Sequence, residues 1–169
     1  MDIRVAQQKD FDEIYQLVQT AFATANVKDG TEQDFVLALR AGDGYLPALE
    51  FVAEEDGKLI GHVMLTKKPV KTPSGQFAGL LLAPLCVALE YRSQGVGSRL
   101  VRHSMAEAKT LGYTGVFLAG DPAYYGRFGF RAIDRFGIQN DSPIPDQFVL
   151  GCEIAPGGLE GARGVLKID

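Results

Sequence analysis

Tyr91-Arg92-Ser93-Gln94-Gly95-Val96-Gly97 comes after the apolar run Leu80-Leu81-Leu82-Ala83-Pro84-Leu85-Cys86-Val87-Ala88-Leu89 and before a helix-forming stretch that begins near Ser98. Strand, glycine turn and helix in that order gather several backbone N–H groups around one point. The two glycines let the chain turn tightly, and the positive end of the helix faces the same place. An anion such as a phosphate can be held there without a lysine, so the segment points to a nucleotide-like cofactor. The bland alternative is a strand-to-helix connection that uses glycine for geometry alone.

The spacing is neither Gly-x-Gly-x-x-Gly nor Gly-x-x-x-x-Gly-Lys-Ser/Thr, which weakens a dinucleotide-fold or P-loop reading. Upstream, Ile3 to Val5 reads as a strand, and Asp10 through Ala21 as a helix with Phe11, Ile14, Leu17 and Val18 on one face. Asp10 and Glu13 have the spacing of a capping pair. A second helix is expected from Thr31 to Leu39, with Phe35, Val36 and Leu39 inward, after a loop over Asn26-Val27-Lys28-Asp29-Gly30. Leu49 to Glu55 and Lys58 to Thr66 read as a hairpin turning at Asp56-Gly57, and Lys71 to Gln76 breaks the pattern.

Downstream, the helix from Ser98 to about Thr110 turns Leu100, Val101, Met105 and Ala108 inward and leaves Arg102 and Lys109 in water. Gly115 to Ala119 reads as the next strand, Ala123 to Phe128 as a short helix, and Phe130 to Ile133 as a return to the sheet. Phe148 to Ile154 and Val165 to Ile168 are two tail strands. The alternation gives an α/β class.

With 169 residues, 46% hydrophobic and 22% charged, the chain can bury one core, and one domain over 1–169 is the expected count. The formal charge of −4 and the lack of a basic tract give no reason to expect nucleic acid or a membrane as partner. Cys86 and Cys152 are too few for a disulfide scaffold, and no His-Glu-x-x-His or other metal-ligand spacing occurs. No secretory start or long apolar run appears, so a soluble cytoplasmic protein is expected.

Arg92-Ser93-Gln94-Gly95-Val96-Gly97 resembles the Arg/Gln-x-x-Gly-x-Gly/Ala pyrophosphate loop of the GCN5-related N-acetyltransferase (GNAT) superfamily. Asp121-Pro122-Ala123-Tyr124-Tyr125-Gly126-Arg127-Phe128-Gly129-Phe130 resembles its Tyr-x-x-x-Gly-Phe element. The resemblance runs from Ile3 to about Val149 and is closest to small bacterial acetyltransferases with poorly defined acceptors. It implies a mixed, strongly twisted central sheet flanked by helices, with parallel strands splaying between Leu89 and Ala119 to admit acetyl-CoA as cosubstrate. Leu85, Cys86 and Val87 would then face the pantetheine arm, and an N–H near Val87 would polarise the thioester carbonyl.

The same resemblance gives the pyrophosphate to Arg92, Ser93, Gln94, Gly95, Val96, Gly97 and Ser98, chiefly through the amides of Gln94 to Gly97. Ser93 and Ser98 can donate through their hydroxyls or simply cap the helix. Tyr125 is expected as general acid toward the departing CoA sulfur, against a packing role, and Tyr124 as a packing residue. Glu54, Glu90 and Asp121 are candidates for a base. Cys86 reads as packing, since no Cys/His arrangement accompanies it. His62 reads as packing or substrate binding, and His103 as a surface or cofactor-adjacent group.

The implied reaction is acetyl transfer to a primary amine of a small molecule, peptide or protein, with acceptor selection by the first two helices, the strands around Phe51 to Leu65 and residues near Phe148. Glu32, Asp34 and Glu54 are candidates to receive a cationic amine. The alternative from another class is a noncatalytic acyl-CoA-binding sensor. An exposed tail strand makes a homodimer a candidate assembly.

Overall fold

The computed structural model describes residues 1–23 and 30–168, so the expected loop over Asn26 to Asp29 lies outside the described residues. They group into two compact units, Met1–Thr66 with Ala83–Ser104, and Lys67–Leu82 with Met105–Asp169. The boundaries fall inside two long strands, β3 (Lys58–Thr72) and β4 (Gly75–Val87), and inside one helix, α3 (Val96–Thr110).

In the first unit, β1 (Asp2–Val5) and β2 (Glu50–Glu55) pair antiparallel with Ile3 opposite Ala53. β2 pairs antiparallel with β3, Glu50 opposite Met64 and Glu55 opposite Lys58. The connecting Asp56 and Gly57 have φ of 52° and 77°. Two consecutive left-handed residues make the two-residue turn whose twist matches the strands. Helix α1 (Phe11–Ala23) buries Ile14, Leu17 and Val18 as the spacing predicts, together with Ala21, while Phe11 is only half-buried; α2 (Glu32–Ala41) buries Val36.

The expected Asp10/Glu13 capping pair does not form. Asp10 instead receives two hydrogen bonds from the Arg4 guanidinium, at 2.7 and 2.9 Å, and one from the Gln7 N–H at 2.8 Å, while Glu13 accepts from the Leu59 N–H at 2.8 Å. Asp10 thus closes the turn Gln8–Asp10 that precedes α1, through the Gln7 N–H and Arg4, while Glu13 turns to the distant hairpin. On α2, Gln33 is buried and Phe35 is 38% exposed, so the inward stripe is rotated from the expected one.

In the second unit, β5 (Gly115–Ala119) pairs parallel with β4, Leu80 opposite Val116 and Leu81 opposite Phe117. It pairs antiparallel with β8 (Val149–Glu153), which also carries the short edge strand β6 (Arg131–Ala132). The tail strand β9 (Gly164–Leu166) lies against Lys71 of β3 and runs parallel to β7 (Ile138–Asn140), a strand the sequence reading does not contain. Both tail strands thus find partners within the chain. Lys71 to Gln76 is no break: Pro73 and Ser74 form a two-residue turn between β3 and β4. On α3, Leu100, Val101 and Ala108 are buried as expected, whereas Ser104 is buried and Met105 only half-buried.

Candidate cofactor cradle and tyrosine segment

The cradle is built within the first unit. Along the end of β4, Leu85 and Val87 are half-exposed and Cys86 is buried, the alternation expected of a strand with one packed face. The Cys86 thiol is pushed up to about 12 by burial, which keeps it protonated at neutral pH. After Val87 the chain is held by Ala88 N–H donating to the Ile60 carbonyl at 2.8 Å and by a tight turn over Leu89–Tyr91.

Helix α3 begins at Val96, two residues before the expected start at Ser98. Its first helical bond is Arg99 N–H to the Gly95 carbonyl, 3.1 Å. The amides of Val96, Gly97 and Ser98 therefore precede the intrahelical ladder and point out of the helix end. Gly95 has φ of 84°, and no atom lies within 4 Å of where its side chain would begin. Glycine is needed there for the left-handed turn, not because neighbours crowd it. Ser93 is also left-handed, φ 63°. Free first-turn amides beside an open, side-chain-free surface fit a phosphate group.

Arg92 and Gln94 hold the loop. Arg92 donates to the carbonyl of Val87 at 3.3 Å and to that of Ala21 at 2.6 Å, joining the end of β4 to α1, and the Gln94 amide donates to the Glu90 carbonyl at 3.1 Å. Gly61 of β3 is a residue the sequence reading missed. A Cβ there would lie 2.8 Å from Leu100 and 3.1 Å from Val96, so the bare backbone lets the first turns of α3 approach the sheet. No spacing signal marks it.

The tyrosine segment is built within the second unit. Asp121 accepts from the Ala123 N–H at 2.9 Å and starts the short helix α4 (Pro122–Tyr125), where Pro122 supplies the fixed φ of a first helical residue. Asp121, a candidate base, thus serves as a cap. Gly129, φ 95°, closes the turn that follows, and the Phe130 N–H returns to the Tyr125 carbonyl at 3.4 Å. The Tyr125 ring meets Tyr124 edge-on at 4.9 Å and Phe130 at 5.9 Å. Among the described residues no group bonds to its hydroxyl. Burial, with a smaller contribution from Tyr124, pushes that hydroxyl up to about 12.

Most of the remaining candidates have structural partners. Glu54 accepts from Arg4 at 3.1 Å, and Asp34 from the Tyr15 hydroxyl at 3.0 Å. Glu90 is exposed at the rim of a cavity of about 210 Å³ between α1 and the end of β4. His103 packs edge-on against Phe51 at 4.9 Å. His62 is wholly buried, its Nε2 2.8 Å from Glu50, which also receives Arg40 at 2.6 Å and the Tyr45 hydroxyl at 2.7 Å. Burial alone would push the Glu50 carboxyl up, but the bonds from His62 and Arg40 hold it down at about 2. Burial lowers His62, and with Nε2–H given to Glu50 its Nδ1 has no partner among the described residues.

A mixed sheet flanked by helices, with a strand, glycine turn and helix cradle, is the architecture of acyl-CoA N-acyltransferases. Residues 2–133 match the family model described as Acetyltransferase (GNAT) domain. The chain belongs to this family. It is 32% identical over 145 residues to the Escherichia coli K12 protein called uncharacterized N-acetyltransferase YjhQ, covering 85% of this chain and 77% of that one. The crystal structure of E. coli YhbS in complex with CoA superposes with a TM-score of 0.86 at 30% identity, over 99% of this chain and 89% of YhbS. A Brucella melitensis GNAT acetyltransferase in complex with acetyl-CoA gives 0.76 at 28% identity, over 92% and 88%.

Proposed function

We propose that the protein transfers the acetyl group of acetyl-CoA directly to a primary amine. The observation that carries this reading is the cradle: first-turn amides of α3 that precede the intrahelical ladder, without a backbone acceptor among the described residues, behind a left-handed Gly95 in a chain of the GNAT family. The CoA and acetyl-CoA complexes of the two similar structures support the choice of cosubstrate. The amides of Val96, Gly97 and Ser98 would hold the pyrophosphate, with Gln94 and Gly95 shaping the loop and Arg92 fixing it. Leu85 to Val87 would present backbone to the pantetheine amides.

In this scheme the amine nitrogen attacks the thioester carbonyl, the C–S bond breaks as the C–N bond forms, and the products are an N-acetyl compound and CoA. An N–H near Val87 stabilises charge developing on the carbonyl oxygen. Tyr125 donates its O–H to the leaving sulfur. An ordinary thiol titrates near 8.5, well below a phenol held at about 12, so complete proton transfer from Tyr125 is uphill in an unperturbed thiolate. Hydrogen-bond stabilisation of the sulfur is its minimum role, and the proton that ends on CoA is the one lost by the acylated amine, exchanged through water. A substrate arriving as free amine needs no dedicated base, which suits the structural partners of Glu54 and Asp121.

Tyr125→Phe tests this role. The ring contacts are kept, acetyl-CoA affinity is expected to be unchanged, and the chemical step followed by rapid quench should slow by about 10². Transfer at the unmodified rate in a folded variant removes Tyr125 from the mechanism.

A further inference from the structure

The geometry points to Gly120 as the positioning residue that sets where the Tyr125 hydroxyl sits, an inference that rests on the role given to Tyr125 above. Because Tyr125 Oη has no bonding partner among the described residues, its place is fixed by packing of the ring. Tyr124, Phe128 and Phe130 surround that ring, with centroids at 4.9, 6.3 and 5.9 Å. Gly120 supplies the close contact: a Cβ built on it would lie 2.6 Å from Cε2 and 3.0 Å from Cδ2 of Tyr125. The ring edge therefore rests on a bare Cα.

Two facts make this a seat and not an accident of a turn. Gly120 is not among the glycines with positive φ, so its backbone conformation does not itself require glycine. Its N–H donates to the Phe148 carbonyl at 2.9 Å, just beyond the last β5/β8 pair, Ala119 opposite Val149, so the Cα cannot easily retreat from the ring. An added methyl must then be accommodated mainly by the ring, since the next neighbour, the flexible end of Leu118, is 3.2 Å away and has only a few tenths of an ångström to give. Restoring an ordinary carbon contact of about 3.6 Å from the built 2.6 Å moves the ring edge by about 1 Å, and displacement of a reacting group by that much can cost about 10² in rate.

The test is a cycle of Gly120→Ala and Tyr125→Phe, with acetyl-CoA and a panel of a simple alkylamine, an arylalkylamine, a polyamine and a lysine peptide, read by rapid quench and by acetyl-CoA affinity. Gly120→Ala should lower the chemical step by about 10² with acetyl-CoA affinity within about threefold, and should add little when Tyr125 is already Phe, since no hydroxyl remains to misplace. A slow Tyr125→Phe beside an unimpaired Gly120→Ala overturns the seat and leaves the tyrosine's role standing. An unimpaired Tyr125→Phe overturns the role itself, and the seat is then judged by stability. Gly120→Ala should lower the denaturation midpoint when Tyr125 is present but not in a Tyr125→Ala background, where the obstructing ring is gone. This stability cycle also decides the case in which Gly120→Ala does not fold or no panel amine is acetylated. Equal destabilisation in both backgrounds overturns the inference.

Discussion

Replacing Gly95 by alanine isolates one physical quantity, the cost of a left-handed turn. Nothing lies within 4 Å of the new methyl, so collision with neighbours contributes nothing, and the penalty is that of placing an L-residue at φ 84°. That conformation costs a non-glycine residue about 1–2 kcal/mol. If the loop keeps its shape, the cost appears as lost stability, reduced by the stiffer unfolded chain. If the loop relaxes, it must be restored on binding, and acetyl-CoA affinity falls by about 5- to 30-fold. Calorimetric titration with acetyl-CoA and urea denaturation on the same protein measure both shares. Gly95→Asn should lose less than Gly95→Ala, because asparagine tolerates the left-handed region. A Gly95→Ala protein with unmodified affinity and stability, or an asparagine variant worse than the alanine one, would show that the left-handed turn is not what glycine supplies at position 95.

Three further outcomes are expected. The Tyr125 hydroxyl, at about 12, holds its proton throughout the ordinary assay range. The chemical step should therefore show no loss assignable to tyrosine ionisation between about pH 7 and 10, and an alkaline decline in that range that vanishes in Tyr125→Phe would contradict this. Glu50, held at about 2 against an ordinary 4.5, contributes stability that is complete above the ordinary value and is lost as pH falls from there toward 2. The shift corresponds to about 3 kcal/mol. His62, also lowered, acts in the same direction, since the unfolded chain takes up its proton first as pH falls below about 6.5. Arg40→Met should cost about 3–5 kcal/mol by leaving the Glu50 carboxylate short of its guanidinium, and should move acid unfolding to higher pH. Unchanged midpoints in pH-resolved melts would show that the cluster is not what holds α2.

Local signals were legible and long-range ones were not. The Asp56-Gly57 hairpin, strand β5 and the inward face of α1 follow from turn chemistry and period alone, and the structure has them within a residue or two. The strand, glycine turn and helix were legible because glycines interrupt the pattern between an apolar run and a helical one, although α3 starts at Val96 because the left-handed residue is Gly95 itself. The Asp10/Glu13 pairing fails because Asp10 caps the turn before α1, with Gln7, and Glu13 finds its partner in the distant Leu59 N–H. Glu50 and His62 carry no sequence mark of burial, since a charged residue in a strand can face either side until its partners from α2 and β3 are known. Gly61 and Gly120 were silent for the same reason: what a missing side chain makes room for is visible only in three dimensions.

Direct acetyl transfer is measured by incubating the protein with acetyl-CoA and the amine panel and following acetylated amine by mass spectrometry beside released CoA thiol. Direct transfer predicts one acetylated amine per CoA released, with at least one panel member turned over repeatedly. Saturable acetyl-CoA binding in the cradle with no amine acetylated and no CoA released would contradict it and leave the protein a sensor of acyl-CoA.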